Sequence, residues 1–161
     1  MADTKEYFYK NEYIVLLGKL KSNLISLETI LRFCILKKEG DEKNFISPFK
    51  TEIGDIIKID AFTNYDDLGK LIDKYNDYQL ENEKIDKDKI VSIRDLFAHG
   101  RAFSSTEESP LVIVKYSKPN NGFVKMTHKE VLGVKWFNDA IMTIHDLAEK
   151  IAKKNKLTRN F

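Results

Sequence analysis

A long stripe of apolar residues near the start of the chain constrains the fold more than any other feature of the sequence. Its members recur at alternating spacings of three and four residues, which places about one residue per turn on a single helical face over three to four heptads. We therefore predict a first helix from about Thr4 to Lys38, ended by Gly40. The stripe consists of Tyr13, Leu17, Leu20, Leu24, Leu27, Leu31 and Cys34.

Apolar spacing also predicts structure in the segment that follows the first helix. One helix is expected from about Asn64 to Leu80, with Thr63 or Asn64 as its N-cap. Ahead of it, four isoleucines predict either a short amphipathic helix or an ordered crossover. These isoleucines are Ile53, Ile56, Ile57 and Ile59.

Two runs near residue 115 have the composition of strands rather than helices. Leu111 to Tyr116 is β-branched and apolar, and Gly122 to Met126 is a second short extended run. The residues between them, Lys118 to Gly122, contain the proline, asparagines and glycine that are typical of a turn. We predict a small β-hairpin at about residues 111–126, inserted before the last helix.

The last helix is predicted to begin at a capping box formed by Thr127 and Glu130, with His128 in its first turn, and to run to about Lys154. With a further helix that begins near Asp86 or Asp88, the chain is expected to be a single all-α domain over residues 1–161. The predicted architecture is an up-and-down bundle of four to five helices that carries the hairpin.

Composition limits the function classes that the chain can serve. The formal net charge of +2 over 161 residues gives no whole-molecule case for nucleic-acid binding, so an RNA site would need local clustering of charge. The single cysteine, Cys34, excludes an intramolecular disulfide and agrees with a reducing compartment. The sequence has no basic-then-apolar leader and no apolar run near 18 residues, so we expect a cytoplasmic protein without a membrane segment.

The end of the helix before the hairpin concentrates residues that can carry chemistry. Asp95 and His99 are four residues apart and share a helical face, whereas Arg94 and His99 are about 140° apart around the axis. The arginine fork matches a phosphate, and histidine exchanges protons near neutral pH. Gly100 is expected to end the helix by turning left-handed. The alternative is an ordinary surface helix terminus, where a positive residue is favoured by the helix dipole alone.

The segment Arg94–His99, with the sequence Arg-Asp-Leu-Phe-Ala-His, resembles the signature of HEPN domains. The shared features are an arginine, four residues, then a histidine at a helix end, with a polar residue directly after the arginine. The resemblance implies a small helical bundle. It also implies, for many members, a metal-independent endoribonuclease of toxin–antitoxin, antiviral defence or RNA-processing systems that needs no cofactor.

The resemblance also implies roles for individual residues. His99 would act as general base or acid, Arg94 would hold the phosphate, and Asp95 would orient His99. One histidine per chain does not easily serve as both base and acid, so a homodimer with a composite site is expected, and an antitoxin or defence protein is a possible partner. Some HEPN toxins carry a modified tyrosine two residues after the histidine; here that position is Arg101, which could instead contact a phosphate.

Other charged residues are weaker candidates. The basic end of the last helix, with Lys150, Lys153 and Lys154, could contact RNA phosphates, or it could be a solvated helix terminus. Glu28 lies at the edge of the apolar stripe and is a candidate supporting partner for Arg94, or it could point outward. We expect no metal site. The alternative function, from a different class, is a non-catalytic HEPN-like module that binds RNA, a nucleotide or a partner protein.

Overall fold

The structure is a computed structural model that describes residues 11–103 and 110–157. Over these residues the chain is mostly helical, as predicted, with four α-helices and one antiparallel sheet of three strands in the order β1-β2-β3. The predicted start of the first helix at Thr4 lies outside the described residues. The helices are α1 (Asn11–Glu39), α2 (Leu68–Asp77), α3 (Lys87–His99) and α4 (Val134–Lys154), and the strands are β1 (Arg101–Phe103), β2 (Leu111–Tyr116) and β3 (Met126–Leu132).

The described chain divides into two compact units. The first contains α1 up to Leu24 together with Ser92–His145, and it therefore includes the whole sheet. The second contains Ile25–Val91 together with the described residues from Asp146 onward, and it includes α2. Helices α1, α3 and α4 each contribute residues to both units.

Aromatic rings and the central strand form the core of the first unit. Phe137 of α4 is fully buried, and its ring lies 5.9 Å from Phe97, 5.4 Å from Trp136 and 6.0 Å from Tyr13, measured between ring centroids. These separations are typical of favourable tilted and edge-to-face packing. The other buried apolar residues of this unit are Leu16, Leu20, Ile93, Leu96, Leu111, Ile113, Val114, Leu132, Ala140 and Ile144.

The predicted hairpin is present, but its second strand begins later than expected. β2 matches the predicted first strand, whereas Met126–Leu132 replaces the predicted run from Gly122 to Met126, which was wrong. The turn lies where it was predicted, because Asn121 and Gly122 adopt φ angles of 50° and 82° that few residues other than asparagine and glycine accept. β1, which was not predicted, pairs with the other side of β2.

The predicted capping box at Thr127 and Glu130 was wrong, because both residues belong to β3. The Thr127 hydroxyl donates to the carbonyl of Lys115 across the hairpin at 3.2 Å. His128, expected in a helix first turn, is also in the strand and lies 3.1 Å from the Glu130 carboxylate. Residues two apart share one face of a strand, which explains this contact. Helix α4 begins only at Val134.

Gly100 joins α3 to β1, and the structure shows a different reason for glycine than the predicted left-handed turn. Its φ is not among the positive φ angles of the chain, so that prediction was wrong. A Cβ added at this position would lie 2.1 Å from the carbonyl oxygen of Leu96 and 2.4 Å from Cγ2 of Ile113. The Gly100 amide also donates to that Leu96 carbonyl at 2.9 Å. Glycine is needed here because a side chain would overlap both a carbonyl of its own helix and the Ile113 side chain of β2.

In the second unit, the guanidinium of Arg32 organises the segment that precedes α2. Arg32 is 11% exposed. It donates to the carbonyls of Ala61, Asn64 and Asp66 at 2.9, 3.2 and 2.7 Å. Its remaining donors bind the carboxylate of Glu28, one turn earlier on α1, at 3.0 and 3.2 Å. A guanidinium with nearly all of its donors satisfied can remain buried, and it fixes three backbone carbonyls at once.

Helix α2 is shorter than predicted, and its N-cap is neither Thr63 nor Asn64. The Asp67 side chain caps the helix by accepting from the backbone amide of Lys70 at 2.9 Å. The Asn64 side-chain oxygen is already bound by Arg32 at 2.9 Å, and the Thr63 hydroxyl is bound within its own turn. The side chains of Thr63 and Asn64 are thus hydrogen-bonded within the loop before α2 and do not cap the helix.

The isoleucines ahead of α2 do not form the predicted amphipathic helix. Ile53 and Ile56 are fully exposed, Ile59 is 69% exposed and Ile57 is 37% exposed. A short helix gains most of its stability from burying an apolar face, and no such face is buried here. The segment instead contains a turn in which Gly54 adopts a φ of 103°.

We predict that Gly100→Ala lowers the free energy of unfolding by roughly 2 kcal/mol or more, because the new methyl group overlaps a backbone carbonyl and a buried isoleucine. Urea unfolding followed by circular dichroism measures this change. Gly18→Ala is the matched control, since a Cβ there meets nothing within 4 Å and the position lies inside α1. The control should be neutral or stabilising by up to about 1 kcal/mol. Equal stabilities of the two variants would contradict the steric explanation.

A second prediction concerns the ion pair between Asp66 and Lys74, which are 2.7 Å apart. The hydrogen bond from Lys74 holds the pKa of Asp66 below its ordinary value of 3.8. A lowered folded-state pKa stabilises the protein above the unfolded value, and this contribution is lost as the pH falls through the folded-state pKa. Asp66→Asn should therefore lower unfolding free energy by about 0.2–1 kcal/mol at neutral pH and by much less at strongly acidic pH.

Urea unfolding of both proteins at neutral and at acidic pH measures this difference. Asp146→Asn, which removes an exposed carboxylate from α4, is the control and should show little change at either pH. A stability difference for Asp66→Asn that does not depend on pH would contradict the assignment.

Candidate functional site

Four of the residues singled out from the sequence lie in the last two turns of α3 or at the start of β1, and two of them, His99 and Arg101, line one cleft. Arg94, Asp95 and His99 belong to the last two turns of α3, and Arg101 is the first residue of β1. All four are part of the first unit. Gly100 is the single residue between the helix and the strand, so His99 and Arg101 lie directly on either side of it.

Arg94 and Asp95 form an ion pair that leaves hydrogen-bonding capacity unused. Arg94 Nη1 lies 3.1 Å from Asp95 Oδ1, with side chains 29% and 34% exposed. Within the described part of the chain, Arg94 Nε and Asp95 Oδ1 are buried and have no hydrogen-bond partner, so the contact is electrostatic without an aligned N–H donor. A buried N–H without a partner is unfavourable, so this pair is weaker than one in which both groups are fully hydrogen-bonded. The orienting role of Asp95 toward His99 stays a prediction.

A cleft of about 210 Å³ opens beside the helix end. His99 and Arg101 form its charged or protonatable side, and both are exposed. Tyr116 supplies an aromatic wall, and the guanidinium carbon of Arg101 lies 5.3 Å from the centre of its ring. The remaining wall comes from the hairpin turn, with Ser117, Pro119 and Val124.

Tyr116 was missed by reasoning from the sequence, because its position depends on strand register. Arg101 pairs with Val114 on β2, and Tyr116 lies two residues further along on the same face, next to the helix end. The register with β3 shifts by one residue between Lys115 and Tyr116, which leaves Thr127 out of the pairing. Such irregularities change the direction of a side chain and are frequent beside active sites. The β-branched run predicted the strand, but not β1, which sets this register.

Glu28, predicted as a supporting partner for Arg94, has a different cation within reach. Its carboxylate accepts hydrogen bonds from Nε and Nη2 of Arg32, four residues later on α1. This is the ordinary spacing of a helical ion pair. Glu28 belongs to the second unit, and its observed contact is with the residue that holds the loop before α2.

The basic end of α4 lies in the second unit, where two of its three lysines are engaged. Lys153 contacts the Glu149 carboxylate at 2.7 Å. Lys154 donates to Gln79 and to Glu83, both at 2.6 Å, and helps to line a polar cavity of about 380 Å³. The hydrogen bond from Lys154 holds the pKa of Glu83 below its ordinary value. Lys150 is exposed. A lysine that is already paired offers less to a phosphate than a free one.

Within residues 11–103 and 110–157, no group of three or more histidine, cysteine, aspartate or glutamate side chains could hold a metal ion. None of the helices described combines the length and apolarity needed to cross a membrane. No family model, curated protein or solved structure matches this chain. The case for function therefore depends on the geometry at the end of α3.

We predict that Lys154→Met raises the pKa of Glu83 toward its ordinary value of 4.5, because the hydrogen bond that stabilises the carboxylate is removed. An NMR titration of the glutamate side-chain carbons measures the shift. Lys150→Met should change the pKa of Glu83 much less, since Lys150 contributes only through charge at a distance. An unchanged Glu83 titration in Lys154→Met would show that Lys154 is not engaged by this carboxylate and is available to other anions.

Proposed function

We propose that this chain is a metal-independent endoribonuclease of HEPN type. The observation that carries the proposal is the arrangement at the end of α3. His99 is exposed at the helix end in a cleft with Arg101, and Arg94, whose side chain is 29% exposed, lies five residues earlier on the same helix. An anion-binding donor and a proton-transfer group on one short segment are what cleavage of a phosphodiester requires.

In the proposed reaction, the 2′-hydroxyl of one nucleotide attacks the adjacent phosphorus. A His99 imidazole accepts the hydroxyl proton, the bond from phosphorus to the 5′-oxygen breaks, and that oxygen receives a proton from an acid. The products are a 2′,3′-cyclic phosphate and a 5′-hydroxyl end. The RNA supplies both the nucleophile and the leaving group, so the reaction needs no metal and no added nucleophile. Arg94 stabilises the charge that develops on the phosphoryl oxygens of the pentacoordinate state.

One imidazole cannot easily be base and acid in the same step, which is why the proposal includes a second copy of the chain. In a homodimer with the two α3 ends facing one cleft, His99 of one protomer accepts the proton and the partner's His99 donates one. We expect this composite site because the resemblance to HEPN domains implies it. A cognate antitoxin or defence protein would be a further partner of the same assembly.

The decisive experiment incubates the purified protein with labelled single-stranded RNA in EDTA. We expect cleavage by the wild type and a loss of roughly 10²–10⁴-fold in rate for His99→Ala, because proton transfer is lost. Arg94→Ala should lose about 10²–10³-fold, because charge stabilisation is lost. Mass spectrometry of the fragments should find 2′,3′-cyclic phosphate and 5′-hydroxyl ends.

His145→Ala is the matched control, since His145 is an exposed histidine on α4 in the same unit. It should retain wild-type activity. If both Arg94→Ala and His99→Ala retain wild-type cleavage, the enzyme proposal is refuted. It is also refuted if the wild type cleaves no RNA. RNA binding without cleavage would favour the alternative of a non-catalytic binding module.

A further inference from the structure

The cleft beside His99 has the composition of a site for one nucleotide. It combines a planar aromatic ring, an arginine, a histidine and two apolar side chains, Pro119 and Val124. Its volume of about 210 Å³ is below the roughly 300–1,000 Å³ of pockets that enclose whole small molecules. It is therefore suited to hold one unit of a longer ligand.

We propose that the cleft is a subsite for a single unpaired nucleotide, whose base stacks on Tyr116 beside His99 and Arg101. This inference rests on the proposed function, because it takes RNA as the ligand. It extends that function by naming an unpaired nucleotide as the unit recognised, since a base inside a duplex must first be unpaired and unstacked, at an energetic cost, before it can stack on a protein ring.

The contact between Arg101 and Tyr116 supports this assignment. The guanidinium is a flat cation that lies 5.3 Å from the ring centre in the free protein. At an exposed site such a cation–π contact is weaker than the stacking of a base on an aromatic ring. A base can therefore displace Arg101 from the ring, and the released guanidinium is then free to bind the phosphate of the same nucleotide.

The hairpin gives the site its rigidity. The amide of Ser117 donates to the carbonyl of Lys125 at 2.8 Å, and the Ser117 hydroxyl accepts from the Lys125 amide at 3.0 Å. These bonds close the turn that presents Pro119 and Val124 to the cleft. Tyr116 is 38% exposed, so one part of its ring is supported by the protein and another is accessible to a ligand.

The test measures binding of a short fluorescein-labelled oligonucleotide made of 2′-O-methyl RNA, which cannot be cleaved because the attacking hydroxyl is blocked. For Tyr116→Ala we expect Kd to rise roughly 5- to 150-fold, which is the loss of one base–aromatic stack converted at about 1.4 kcal/mol per tenfold. Tyr116→Phe retains the ring and should bind within about twofold of the wild type. Tyr65→Ala, which removes a fully exposed tyrosine from the second unit, is the control.

Salt dependence separates stacking from phosphate contact. Arg101→Ala should lower the slope of log Kd against log salt concentration by about 0.7, the value for one phosphate contact on a single strand. Tyr116→Ala should leave the slope unchanged. An unchanged Kd for Tyr116→Ala, with a folded protein by circular dichroism, overturns the subsite.

If Tyr116→Ala does not fold, the wild type provides the test through photo-crosslinking of an oligonucleotide that contains 4-thiouridine. Crosslinks on the peptide with Tyr116 or Val124 support the subsite, and crosslinks only elsewhere overturn it. Different results would refute the nuclease proposal and the subsite proposal. RNA binding that depends on Tyr116 without cleavage of natural RNA refutes only the nuclease, and cleavage with unchanged Kd for Tyr116→Ala refutes only the subsite.

Discussion

The contact of Gly100 with β2 is the constraint on which the candidate site depends. The pairing of β1 with β2 places Arg101 opposite Val114, and glycine lets the chain pass from α3 into that strand. A methyl group at this position would overlap the carbonyl of Leu96 in α3 and the side chain of Ile113 in β2. The chain can pass directly from α3 into β1 at this point, which brings an imidazole, a guanidinium and a phenol ring together on one surface.

Much of this arrangement could be predicted from the sequence, and the failures have physical causes. The spacing of Leu20, Leu27, Leu31 and Cys34 predicted their burial, because one helical face repeats over many turns and gives a strong signal. The three residues of β1 are too few to show any periodicity. The capping pattern of Thr127 and Glu130 is a local preference, and the pairing of their strand β3 with β2 overrides it. Tyr116 could not be assigned without the register that β1 sets.

The distribution of charge matters more than its sum in this protein. A net charge of +2 predicted no general affinity for nucleic acid, and the basic end of α4 has two lysines already bound to carboxylates or amides. Arg32 is likewise satisfied by three carbonyls and Glu28. Arg94 also lies against a carboxylate, that of Asp95, but within the described part of the chain its Nε makes no hydrogen bond. Arg101 differs from all of these cations, because its guanidinium is exposed in the cleft and lies against an aromatic ring.

The reactivity of the buried Cys34 thiol can be used to measure how often the protein opens locally. The side chain is 1% exposed in the second unit, and burial raises its pKa to about 11. Only the thiolate reacts, and at neutral pH a thiol with such a pKa is ionised to the extent of about one part in ten thousand. Modification by a thiol reagent must therefore proceed through transient exposure of Cys34. The rate of modification then reports local opening of the native protein, and no introduced label is needed.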